Sequence, residues 1–184
     1  LGLELRRQKP LQTVSVVVTG AEGSGKTAFV RTISEIGLLS TDRRPIGAGA
    51  SSPDRIPVDF GRVALAPDLV LHLFAVPALH SFDFLWWIHS GERVGWVILV
   101  DSTRPETFRE AFKIADFRKS FRDCPYVIVA NKQDVENAWG AEELRLALRL
   151  PTDIPVLPCV ATEWESVKNV LLELLYLVLH SAGA

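Results

Sequence analysis

The sequence predicts an α/β domain in which a mostly parallel sheet of six strands, one of them an antiparallel edge strand, carries helices on both faces. Three observations lead there. Six short apolar runs alternate, for the most part, with segments of helical periodicity. Two of those runs are joined only by Ala66-Pro67-Asp68, a hairpin connection. The first run leads directly into a glycine-rich octet and then a helical stretch. A length of 184 residues suits a single domain, 1–184, with its core between residues 13 and 180.

Taken in order, Val14-Ser-Val-Val-Val18 is the first strand and Ala28 to Ile36 the first helix. Ser40 to Arg55 is irregular, with Pro45, Gly47, Gly49, Ser51, Ser52 and Pro53; loops of this length are uncommon unless functional or disordered. Ile56–Leu65 and Leu69–Ala75 form the hairpin, and the aromatic-rich Ser81–His89 follows as a helix. Val94–Val100 is a strand, Glu106–Phe121 an amphipathic helix, and Tyr126–Ala130 the fifth strand. Glu142–Leu150 is a short helix stopped by Pro151, and Ile154–Val160 is the last strand. The final segment sets Val167, Val170, Leu171, Leu174, Leu175 and Val178 on one helical face. Glu165 and Glu173 turn away from that face and Lys168 lies at its edge. Internal repeats and low-complexity linkers are absent from the sequence.

A net charge of −2 gives no support for a nucleic-acid surface or a polybasic membrane patch. No apolar run is long enough for an integral membrane span. The opening Leu-Gly-Leu-Glu-Leu-Arg-Arg lacks the order of a secretory signal, and lipidation patterns are missing. Cys124 and Cys159 each sit beside a β-like run and outside any metal-ligand spacing. The expectation is a cytoplasmic protein with two buried, reduced thiols.

The octet Gly20-Ala-Glu-Gly-Ser-Gly-Lys26-Thr27 matches G-x-x-x-x-G-K-[ST] in the strand-loop-helix context that the motif requires. Gly20, Gly23 and Gly25 permit turns closed to residues with a Cβ, so the amides of Glu22, Ser24 and their neighbours can approach phosphate oxygens. The helix N-terminus adds donors and a favourable dipole. Lys26 can reach the β- and γ-phosphates, and the Thr27 hydroxyl can hold Mg²⁺. A glycine-rich β-to-α turn that happens to end in Lys-Thr is the alternative.

The second motif, Asn131-Lys132-Gln133-Asp134, directly follows the fifth strand. A carboxylate there can accept hydrogen bonds from N1–H and the exocyclic amine of guanine, whereas adenine offers its N1 lone pair. Each hydrogen bond to a charged group contributes about 1.5–3 kcal/mol, so guanine is preferred. With Asp134, Asn131 would select the base and Lys132 would cover it with its stem.

Together these motifs give a chain that resembles the Ras-like small GTPases, which carry a P-loop NTPase fold. It is most similar to the bacterial branch containing the MglA-like polarity switches. The resemblance runs from Thr13 to Leu179 and includes Phe29–Ile36, Val58–Arg62 and Leu71–Pro77. It also places Pro158–Thr162 where the family's Ser-Ala-Lys loop touches the base, which implicates Ala161 and Thr162. It implies GTP or GDP with Mg²⁺ as ligands, and a protein partner, of roadblock type or another regulator, engaged through the switch regions.

The switches depart from that pattern. The family's first-switch Thr, which contacts Mg²⁺ and the γ-phosphate, aligns with Arg55, and Arg cannot coordinate a cation. Ser51 or Ser52 could substitute. In the second switch, Gly becomes Ala78 and the water-orienting Gln becomes Leu79. His80, one residue on, is a candidate water-positioning group or an ordinary surface histidine. Slow hydrolysis, a role for His80, catalytic groups from a partner, and loss of the switch all remain open. Phe82, Phe84, Trp86 and Trp87 cannot all point inward from one helix, so Phe82–Trp87 is a candidate contact surface. Asp101 matches a metal-binding acid by position, but a strand-ending turn cap is favoured. The leading expectation is a guanine-nucleotide-binding regulatory GTPase with weak or absent intrinsic hydrolysis. The rival is a pseudo-GTPase serving as an interaction module.

Overall fold

The computed structural model describes residues 12–41, 57–78, 93–118 and 124–181. They form an α/β fold with a seven-stranded, mostly parallel sheet and four α-helices among the described residues. In chain order the elements are β1 (Gln12–Gly20), α1 (Lys26–Ile33), β2 (Leu39–Ser40), β3 (Asp59–Ala66), β4 (Leu69–Ala75) and β5 (Arg93–Asp101). After a 3₁₀ turn (Pro105–Thr107) come α2 (Phe108–Arg118), β6 (Tyr126–Asn131), α3 (Ala141–Ala147), β7 (Val156–Pro158) and α4 (Trp164–Ser181).

The spatial order is β2-β3-β4-β1-β5-β6-β7. Only β3 runs against its neighbours; β4, β1, β5, β6 and β7 pair in parallel. Two expectations need correction. The sheet has seven strands rather than six, and the reversed strand lies second from the margin because β2 pairs outside it. A two-residue strand such as Leu39–Ser40 is too short to show any periodicity.

The central strands are apolar on both sides because helices cover both faces. Along β5, Val97 and Leu99 face one core with Phe29, Val30 and the α4 side chains. Trp96, Ile98 and Val100 face the other, with Phe108, Ile114 and Leu144 from α2 and α3. The six apolar residues expected on the last helix, Val167 to Val178, are all buried, while Glu165 is exposed and Glu173 lies at the boundary.

Several boundaries move for identifiable reasons. Helix α1 starts at Lys26 because the glycine loop feeds straight into it, and it ends at Ser34, whose hydroxyl accepts from Arg62 N of β3 at 3.1 Å. The α3 helix stops before Leu150 because Arg149 is left-handed at φ 50°. Its start is held by Glu143, which accepts from Gly140 N at 2.7 Å. Strand β7 shrinks to three residues, preceded by Pro155 and ending on Pro158, neither of which can donate. The outer edge of β3 is sealed from within the chain: Glu35 N donates to Arg62 O at 2.9 Å, and Ala64 N donates to the Glu35 carboxylate at 3.1 Å. No described helix is long and apolar enough to cross a membrane.

Candidate functional site

The glycine octet leaves β1 at the centre of the sheet, where the C-terminal ends of parallel strands leave a crevice. Gly20 has φ +147°, and a Cβ built there would lie 2.1 Å from Leu99 O, a backbone atom that cannot step aside. Gly25 has φ +101° and caps α1 without any side-chain hydrogen bond; its Cβ would lie 2.4 Å from Asn131 Nδ2. Only glycine fits at either position. We expect Gly20→Ala to cost about 3 kcal/mol or more, from left-handed strain plus overpacking. Urea denaturation will read this as a lower midpoint with an unchanged slope; a loss below about 1 kcal/mol would contradict the observed loop geometry.

Lys26 folds back over the loop, where its ammonium donates to Gly20 O at 2.9 Å and Ala21 O at 2.8 Å. Burial pulls its pKa below the usual lysine value, while Glu110 and Glu22 push it back up. Ser24 is fully buried, whereas Glu22 and Gly23 are exposed on the outer turn. Arg104 reaches over that turn, with Nη1 3.5 Å from Glu22 O and Nε 3.2 Å from Glu106 Oε1. A lysine ammonium beside the amides of a helix N-terminus is a donor set suited to an oxyanion.

Thr27 is exposed at the start of α1, and its hydroxyl donates to Asp59 Oδ2 at 2.5 Å. The expected metal position thus gains a partner that sequence reasoning used only as part of a family segment. A hydroxyl and a carboxylate are hard oxygen ligands of the kind that hold Mg²⁺. An acid opening the strand after the irregular stretch was the available signal; its proximity to Thr27 depends on how β3 lies beside the loop.

Asn131 ends β6 and is buried. Its Nδ2 donates to Ser24 O at 2.8 Å and its Oδ1 accepts from Ala161 N at 2.9 Å. One side chain therefore joins the glycine loop to the segment after β7. Ala161 O in turn accepts from Thr32 Oγ1 at 2.7 Å, tying that segment to α1. Thr162 is exposed beside it. Lys132 is left-handed, at φ 67°, and its ammonium binds the fully buried Asp101 at 2.6 Å. Asp101 also accepts from Thr103 N and Oγ1, at 3.1 and 2.6 Å. Burial opposes its ionisation, but the bonds from Lys132 and Thr103 win and hold the carboxyl below its usual value. Asp101 is thus a turn cap and the partner of Lys132. Asp134 stands exposed in the turn that follows.

Both cysteines are buried and neither is in a disulfide, and burial pushes Cys159 up to about 11, which leaves it a poor nucleophile at neutral pH. A cleft of about 570 Å³ opens beside Lys26. Its walls include Glu22 from the loop, Pro77 and Ala78 after β4, and Glu110 and Lys113 from α2. The loop and the Ala161 segment are held together by the two bonds of Asn131. Arg55, Ser51, Ser52, Leu79, His80 and the Phe82–Trp87 aromatics lie outside the described residues. No protein-family model matches the chain.

Proposed function

We propose that this chain binds guanine nucleotide in the manner of a P-loop NTPase of small-GTPase type, as a regulatory protein of the MglA-like kind with weak or absent intrinsic hydrolysis. The observation that carries the reading is Asn131, whose buried amide joins the glycine loop to the Ala161 segment. A nucleotide has two dissimilar ends, and a site for it needs a phosphate-binding loop and a base-binding segment held in fixed relation. Gly20–Thr27 would supply amides and the Lys26 ammonium to the phosphates. Thr27, with Asp59 beside it, would hold Mg²⁺, which neutralises charge on the phosphates when bound. Asp134 would select guanine, with Ala161 and Thr162 near the base and the stem of Lys132 against its face. The ion pair to Asp101 supports that last role, since it fixes the ammonium and so orients the stem.

The decisive experiment is titration of the wild type and Asp134→Asn with GDP, ADP and XDP. The wild type prefers GDP over ADP by at least a hundredfold, about 2.7 kcal/mol. The variant moves toward XDP, whose C2 carbonyl accepts the new amide donor. Equal wild-type affinity for ADP and GDP sinks the proposal.

A second reading, an interaction module without a working switch, is favoured by Ala78, which stands in place of the family's glycine and lines the cleft that Lys26 also lines. Single-turnover assays separate the two. We expect a rate constant at or below the roughly 10⁻⁴ s⁻¹ of an unassisted small GTPase. Bound GTP that survives intact for days would favour the module, with a roadblock-type protein or another regulator as its partner.

A further inference from the structure

Resting on the guanine-nucleotide reading, the geometry of the cleft assigns a second kind of selectivity to the site. We propose that Glu22 and Glu110 make it prefer a nucleoside diphosphate over the corresponding triphosphate.

The direction of a bound nucleotide follows from contacts already described. Asn131 and Ala161 lie against the Gly25 side of the loop: a Cβ on Gly25 would meet Asn131 Nδ2 at 2.4 Å and Ala161 Cβ at 3.6 Å. The cleft is lined instead by Lys26, α2 and the residues after β4, and in the sheet β4 and β6 lie on opposite sides of β1. With the base at the Asn131 end, the phosphate chain runs across the loop and its terminal group reaches the cleft.

The charges waiting there are unusual for an anion site. Two of the three ammonium protons of Lys26 are already given to Gly20 O and Ala21 O. Two carboxylates, Glu22 on the loop and Glu110 on the first turn of α2, line the same cleft, and Lys113 is the other cation among the described lining residues. Among the described residues, two acids against two bases give the wall no net positive charge. Both carboxylates lie close enough to Lys26 to act on its ammonium, which places them within Coulombic range of whatever that ammonium binds. A triphosphate brings one more ionised phosphoryl group into this space than a diphosphate does. That group meets the carboxylates directly, while the α- and β-phosphates remain over the loop amides.

The test measures affinities for GDP and for the non-hydrolysable β,γ-imido analogue of GTP, both with excess Mg²⁺, in the wild type, Glu110→Gln and Lys113→Gln. Glu110 and Lys113 are exposed, so both variants should keep the wild-type circular dichroism spectrum. The wild type binds GDP at least tenfold more tightly than the analogue. Glu110→Gln narrows that ratio at least threefold, Lys113→Gln widens it, and high salt shrinks both shifts. Equal wild-type affinities, or a ratio that neither substitution moves, would overturn the inference while leaving guanine binding intact. Failure of the wild type to bind either nucleotide would instead overturn the reading on which it rests.

Discussion

Lys26→Ala abolishes measurable GDP binding. The ammonium is the cation that the glycine loop itself holds in place, with two loop carbonyls fixing its position. A charged hydrogen bond contributes about 1.5–3 kcal/mol, and a desolvated cation facing a phosphate exceeds one such bond. The loss should therefore reach at least a hundredfold, about 2.7 kcal/mol, in calorimetric titration. The substitution also releases Gly20 O and Ala21 O, so a companion variant, Lys26→Arg, checks for damage to the loop. Arginine keeps the charge but not the compact head, and it should retain the fold with weakened binding. GDP affinity within threefold of wild type in Lys26→Ala would remove the loop from the proposed site.

Asn131→Ala should be the most destabilising polar substitution at this site. It strands Ser24 O and Ala161 N, and an orphaned buried polar group costs about 1–3 kcal/mol. We expect a stability loss of about 2–5 kcal/mol by urea denaturation, with nucleotide affinity falling in parallel. Asn131→Asp should be no better, because it sets a carboxylate oxygen against the Ser24 carbonyl. A loss below about 1 kcal/mol in both would mean that loop and base segment hold their places without the bridge.

The sequence made some of this legible and hid the rest for physical reasons. The last helix announced its buried face because its apolar spacing repeats over three turns, and all six named residues proved buried. The β3-β4 hairpin was readable from Ala66-Pro67-Asp68, since a short connection admits only adjacent antiparallel strands. Strand β2 was invisible because two residues carry no period. The two contacts of Asn131 were equally hidden: they reach Ser24 and Ala161 across long stretches of chain, and side chain–backbone bonds of that kind leave no local pattern. Asp59 was in plain view as a residue, yet only the placement of β3 brings its carboxylate to Thr27. Asp101 shows the reverse case, a position suggestive of metal chemistry whose three donors mark it as structural.

The way the sheet ends bears on how molecules of this protein meet one another. On one margin, Ser34 and Glu35 have already taken Arg62 N, Arg62 O and Ala64 N, so an approaching strand finds those β3 groups occupied. On the other margin Cys159 N points inward to Ala130 O, and by strand alternation Pro158 faces outward, where it has no proton to offer. Fibre growth by lateral stacking of sheets needs unspent donors and acceptors at a free rim. At these positions the fold spends them internally, which obstructs that route there.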